Sequence, residues 1–406
     1  MPTQPLVGNP DIVSLPQNTV ASDRNLDHPH IRNLIKHIPR SARPYCAAQL
    51  TTVVNNVNAD YNNVSAWSRL LQYGQTMLLA PPRTGRRHNL ANILKKRSVD
   101  DLLELPPVSH AQSRFRPNQD DSSTLAAAVR SKLEDGNIKA AVRIICSDDK
   151  PAPNDQATLE SLQRRHPAAP VDGNILPNPC AYSAMQATEQ DVIKAIRSFP
   201  VGSSAGPDGL RPQHLLDLIN CQEAGNALIT SITALINLLL QGRCPPEVTA
   251  VLFGGKLLAL KKKSGGIRPI AIGYTWRRLA AKCANCYANS HLADKLLPFQ
   301  LGVNTPGGCE AVVHATRRFL SKMAADDIVV KLDFSNAFNC LRRDVMLQTV
   351  ADDLPYLYRF CHLAYGAQTM LRFGEHTIWS QEGVQQGDPL GPLLFCLTIQ
   401  PLLRSV

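Results

Sequence analysis

From Val248 to Ala293 the chain runs 46 residues without one Asp or Glu, while carrying eight basic residues: Lys256, Lys261, Lys262, Lys263, Arg268, Arg277, Arg278 and Lys282. Ordinary surfaces intersperse charges of both signs. Leu257–Leu260 and Ile267–Ile272 flank a Lys-Lys-Lys-Ser-Gly-Gly turn, so this window predicts two strands joined as a hairpin. Pro269 has no N–H for a ladder, so the second strand is expected to sit at a sheet edge or to leave its N–H side free. A cationic hairpin with an arginine beside its turn is suited to gripping phosphates, because each cation releases counterions and arginine can chelate two oxygens. A Lys-rich turn kept for solubility is the alternative.

The rest of the chain sets wider bounds. Its 406 residues suggest two or three domains at about 100–200 residues each. Lys and Arg exceed Asp and Glu by ten, which allows a polyanionic partner. No uninterrupted apolar stretch reaches about 18 residues, so no membrane span or membrane partner is expected. The best apolar run, Ala227–Leu240, is broken by Thr230, Ser231, Thr233 and Asn237 and reads as a buried helix. The N-terminus lacks the basic flank and apolar core of a secretory signal. Eleven cysteines without a framework pattern fit a reducing, intracellular compartment. The basic strip from Arg83 to Arg97 reads as a phosphate contact, a nuclear address, or a solvated loop and helix end.

Residues 1–42, polar and dotted with proline, predict a flexible lead. Two amphipathic helices are expected within 43–80, a linker over 105–122, a helix over 125–145 and a Pro-rich stretch over 151–179. Proline and serine thin out near 170–185. The expected division is therefore a helical and linker region over 43–180, followed by a compact unit over 181–406. Cys283-x-x-Cys286, with His291 nearby, has metal-like spacing but no second ligand pair, and both cysteines are expected to pack within a helix. His314 is read as structural. Neither a Ser/His/Asp triad nor a phosphate-cradling Gly-rich loop followed by Lys is present.

Two further segments carry chemistry. Ile328–Asp333 alternates so that Ile328, Val330 and Leu332 share one face, which predicts a strand presenting Asp333 at its end. A carboxylate there suits either a hard cation or the capping of the turn that follows. Residues 371–379 predict a second hairpin. The loop Gly383-Val384-Gln385-Gln386-Gly387-Asp388-Pro389 leads into an apolar helix, and its glycines permit close backbone approach.

Together these stretches resemble reverse transcriptases of the non-LTR (LINE-like) retrotransposon kind. The matching residues are Gly202–Leu210, Ile267-Arg268-Pro269-Ile270, Phe299–Gly302, Leu332–Asn339 and Gly383–Pro392. The resemblance implies an α+β fold with the fingers and partial palm of a right-hand polymerase, preceded by the mostly helical N-terminal region. It implies an RNA template, a DNA primer and deoxynucleoside triphosphates as partners, with Mg²⁺ or Mn²⁺ as cofactor. Asp333 would be the first catalytic carboxylate and a metal ligand, and the Phe334 carbonyl a second metal ligand. Arg268 and Lys261 would hold the triphosphate, with Asn336 facing the sugar and phosphates. Phe338 would be the aromatic gate against a ribose 2′-hydroxyl, and Gln386 and Gly387 would pack beside the nascent base pair. Lys256, Lys262, Lys263, Arg277 and Arg278 are the expected nucleic-acid contacts.

The family's second metal-binding motif, an aromatic residue and Asp-Asp on a later hairpin, has no counterpart in these 406 residues. Asp326-Asp327 is too near Asp333, and Asp352-Asp353 reads as a helix end. The thumb is not matched either, so the expectation is a truncated polymerase without efficient catalysis. The alternatives are a non-catalytic nucleic-acid-binding remnant of such an element and a related intron-encoded maturase.

Overall fold

The computed structural model describes residues 34–81, 89–100, 121–134, 136–146, 150–262, 265–324 and 326–405. In chain order the N-terminal elements are α1 (Arg43–Ala59), α2 (Val64–Met77), α3 (Leu90–Lys95), α4 (Asp121–Glu134), α5 (Ile138–Cys146), β1 (Lys150–Pro151) and α6 (Gln156–Arg164). The central elements are α7 (Glu189–Arg197), α8 (Pro212–Ile219), α9 (Gln222–Leu240), α10 (Pro246–Leu252), β2 (Gly255–Lys261), β3 (Ile267–Gly273) and α11 (Thr275–Leu296). The C-terminal elements are α12 (Gly308–Leu320), α13 (Arg343–Asp353), α14 (Pro355–Tyr365), β4 (Thr369–Phe373), β5 (His376–Ser380) and α15 (Gly391–Ser405). Among the described residues, helices and one mixed sheet make up the α+β architecture expected.

Helix α9 is long and apolar enough to span a membrane by length and composition alone, yet it forms the centre of the helical core. Leu228, Ile232, Leu235, Ile236, Leu239 and Leu240 are fully buried, and α1 and α8 pack against the helix. Its 3.6-residue periodicity explains the burial, because apolar side chains on several faces need several neighbours. One hydrophobic cluster runs from Ile35 through Leu50, Trp67 and Ile236 to Leu397. The helical N-terminal region thus shares its core with the C-terminal unit. Residues 34–42 also depart from the expected flexible lead. Leu34 bridges Leu79, Ile35 N–H donates to Leu78 O at 2.9 Å, and Ile38 N–H donates to Asp217 Oδ2 at 2.9 Å.

The sheet is centred on β2. Strand β3 lies antiparallel along one side, while β1 (antiparallel) and β4 (parallel) share the other, with β5 beyond β4. Pro269 sits on β3 opposite Ala259, at the edge position that its missing N–H requires. One sheet face carries Leu257, Ala259, Ala271, Leu371, Phe373 and Ile378 and packs against Leu159 and Leu162 of α6. The Pro-rich stretch therefore holds a helix, capped where the Asp155 side chain accepts from Thr158 N–H at 2.8 Å.

Candidate nucleotide and nucleic-acid site

Three chain segments converge beside the edge of β3. The Ala271 N–H, on the side of the strand away from β2, donates to the Gln386 carbonyl at 2.8 Å and docks the Gln-Gln-Gly-Asp loop against the hairpin. Gly387 makes that approach possible. Its φ is +129°, and a Cβ there would stand 2.2 Å from the Ala271 oxygen. The turn following Asp333 joins from the other side. Val384 N–H donates to Phe338 O at 2.7 Å, and Gln386 Nε2 reaches Asn339 Oδ1 at 3.4 Å.

A buried polar network holds the loop from beneath. Arg277, fully buried on α11, forms an ion pair with Asp388 at 2.8 Å and donates to Gln385 Oε1, the Phe253 carbonyl and Tyr365 OH. Burial works against the Arg277 charge, but Asp388 and Tyr365 outweigh it and leave its pKa raised. Arg343 is equally enclosed. It donates to Gly383 O at 2.9 Å, Ser380 O at 3.0 Å and Ser380 Oγ at 2.7 Å, and burial pulls its pKa down to about 10. Both guanidiniums lie over the Tyr365 ring, Arg277 at 5.6 Å and Arg343 at 5.1 Å from its centroid.

The expected nucleic-acid contacts divide. Lys256, Lys261 and Arg268 are exposed, and Lys262 is half-buried at the hairpin turn. Lys263 lies outside the described residues. Arg277 overturns its expectation: its guanidinium is spent on Asp388 and the loop, so no face of it is left for a phosphate. Arg278 is largely committed as well. It donates to Ser204 O at 2.7 Å and Thr275 Oγ1 at 3.1 Å, lies over the Phe199 ring, and has its pKa lowered to about 10 by burial.

Asp333 is exposed, and Ile328–Asp333 is not a strand. Ile328, Val330 and Leu332 are 81%, 69% and 77% exposed, so their shared face covers nothing. Alternation describes how a strand would divide its faces, but a strand also needs a neighbour for its backbone groups. The sheet centred on β2 does not extend to this segment. Phe334 approaches Phe395 edge-on at 6.5 Å, and the half-buried Phe338 ring stacks on Phe395 at 5.3 Å. Asn336 adopts φ +55°, and its side-chain amide donates to the Arg165 carbonyl at 3.0 Å.

Among the described residues, no group of three or more His, Cys, Asp or Glu side chains could hold a metal ion. Asp333 and the Phe334 carbonyl alone do not fit a two-cation site, which needs several oxygen ligands per ion. Asp353 closes α13 and pairs with Lys295, as a helix-end reading requires. Cys283 is buried, with its thiol pushed up to about 12 by burial, whereas Cys286 and His314 are exposed rather than packed. Arg165, just past α6, was missed from sequence although its carbonyl accepts from both Asn336 and Asn339. The available signal was the Asp155 cap followed by Leu159 and Leu162.

Residues 260–406 match the family model described as reverse transcriptase (RNA-dependent DNA polymerase). The chain is 30% identical over 227 residues to the retrotransposable element SLACS 132 kDa protein of Trypanosoma brucei gambiense, covering 53% of this chain and 18% of that protein. It is 29% identical over 243 residues to the retrovirus-related Pol polyprotein from type-2 retrotransposable element R2DM of Drosophila melanogaster, covering 54% of this chain and 20% of that protein. The matched part spans about a fifth of the length of these curated relatives.

Proposed function

Residues 260–406 form a reverse transcriptase domain of the non-LTR retrotransposon kind, and on that footing we propose that the site beside β3 receives a template-primer and an incoming deoxynucleoside triphosphate. The sheet and the helices around α9 would be the fingers, and residues 326–405 part of the palm. Arg268 and Lys261 would hold phosphates, with Lys256 and Lys262 extending the cationic surface along the nucleic acid. Gln386 and Gly387 would pack against the forming base pair, with Phe338 and Asn336 at the sugar. The observation that carries this reading is the Ala271–Gln386 hydrogen bond, which joins the cationic hairpin to the Gln-Gly loop at one place.

Reverse transcriptase domains work with divalent metals, and Asp333 is the residue of this chain that would offer such an ion a carboxylate. The donor set described above falls short of a two-cation site. We therefore propose that the 406-residue polypeptide binds template-primer without extending it. The test is anisotropy of a labelled RNA template annealed to a DNA primer, run beside a primer-extension assay with Mg²⁺ and, separately, Mn²⁺. Binding whose affinity falls steeply with salt, and weakens in Arg268→Ala, is the expected result. Incorporation that disappears in Asp333→Asn would overturn the non-catalytic part, and salt-insensitive binding would overturn the site.

A further inference from the structure

The segment from Lys150 to Met185 forms a strap across the outside of this site. It pairs through β1 with the end of β2 and lays α6 under the sheet. Beyond α6, Ala169 N–H donates to Gln381 Oε1 at 3.1 Å, Asn174 N–H donates to Asp344 Oδ2 at 2.9 Å, and Pro177 O accepts from Tyr358 OH at 2.7 Å. Arg165 sits midway along the strap. Its carbonyl accepts from the Asn336 and Asn339 amides, each at 3.0 Å. Two side chains from the turn after Asp333 thereby fix one backbone oxygen.

The Arg165 side chain leads to the hairpin tip. Its Nη2 lies 3.4 Å from where a Cβ on Gly266 would stand, with the Lys262 stem on the same spot at 3.9 Å. The guanidinium therefore reaches the hairpin turn at ordinary van der Waals distance. Among the described residues, no carboxylate forms an ion pair with it. A half-buried arginine is thus anchored by its main chain to the turn after Asp333 and extends to the acid-free hairpin bearing Lys261, Lys262 and Arg268. A planar guanidinium presented beside these cations is suited to bidentate contact with phosphate oxygens.

We propose that Arg165 is a phosphate-binding residue of the site, supplied by a strap N-terminal to the family-matched region. The proposal rests on the polymerase-site reading above. The phosphate could belong to the nucleic-acid backbone or to the triphosphate, and two probes separate these sources. One is the labelled RNA template–DNA primer from 50 to 200 mM salt, and the other is thymidine triphosphate binding to that complex by calorimetry. Arg165→Ala keeps the anchored carbonyl, and Arg165→Gln also keeps most of the stem, with Arg164→Ala as the exposed neighbour.

For a backbone contact, Arg165→Ala should lower the salt slope by about 0.7–0.9. For a triphosphate contact it should weaken thymidine triphosphate about tenfold or more, the scale of one charge-assisted hydrogen bond. Arg165→Lys should recover part of either loss, and Arg164→Ala should match the wild type. Unchanged binding of both probes in folded Arg165→Ala and Arg165→Gln, with loss in Arg268→Ala, sinks the proposal and leaves the site standing. Equal losses in Arg164→Ala would sink it too, since the effect would then be a diffuse charge. No wild-type binding of either probe would remove the site reading itself.

Discussion

The residues that shape the loop beside β3 are ones for which small substitutions should cost most. At φ +129° Gly387 occupies backbone that side chains rarely adopt, and its missing Cβ admits the Ala271 carbonyl. Gly387→Ala should cost about 1–3 kcal/mol or more in urea unfolding and release the Ala271 amide to exchange. Arg277 and Asp388 are almost wholly buried, so removing one partner strands the other charge. Asp388→Ala should destabilise by about 3–5 kcal/mol, read as a lower urea midpoint. Asp208 has a different sensitivity: burial raises its pKa to about 7, one carboxyl oxygen accepts from Leu210 N–H and the other has no partner. Its unfolded carboxyl ionises near pH 4, so its stabilisation is complete below that pH and is lost as pH rises to about 7. His214 opposes it. Burial lowers its pKa to about 4, with Nδ1 accepting from Arg211 N–H and Nε2 donating to Ile35 O, so its stabilisation is lost as pH falls from about 6.5. Asp208→Asn leaves His214 in place, so the difference between the two proteins isolates Asp208. The variant should gain on the wild type by an amount of order 2–4 kcal/mol between pH 4 and 7, measured as urea midpoints across that range.

At the scale of elements, the segment that should carry the first carboxylate is the least held. Residues 328–334 have exposed apolar side chains and no ladder. Their amides should exchange within the dead time of a hydrogen-exchange experiment, while those of β2 facing β3 stay protected. Protection at Val330 and Leu332 equal to that of β2 would overturn this. The contrast marks how far the sequence could be read. The β2–β3 and β4–β5 hairpins, α9 and α11 were legible because turn residues and apolar period are local properties. Whether Ile328–Asp333 finds a neighbouring strand is not local, and alternation carries no information about it. The same distinction explains Arg277, which counted as a surface cation in the acid-free window although its partner Asp388 lies 111 residues away. Arg268, Gln386 and Gly387 stand out in the sequence as motif residues, whereas the Ala271–Gln386 contact that docks the loop on the hairpin and the strap bearing Arg165 required the fold. Helix α6 was hidden by the prolines around it, which outweighed its Asp155 cap.

At the scale of the whole molecule, the change in composition near residue 180 does not coincide with a break in the packing. Trp67 and Tyr73 of α2 are fully buried in the cluster that contains α9, α11 and α14, and the Tyr73 hydroxyl donates to Cys46 O at 2.8 Å. Helix α1 lies along α9 and covers a stripe that residues 181–406 alone would expose to water. The site beside β3 therefore depends on helices far outside it, because α11 carries Arg277 and packs on α9, which packs on α1. Trp67→Ala removes a large side chain from the centre of this arrangement and should cost about 3–5 kcal/mol. If the described residues unfold as one unit, the slowest-exchanging amides of α1, α9, α11 and α14 should all lose protection by the same free energy. A loss confined to α1–α3 would mean that the N-terminal helices unfold separately, and residues 181–406 should then fold when expressed alone. The shared core favours the first outcome: a cavity under Trp67 would be felt at Arg277, and through it at the Gln-Gly loop.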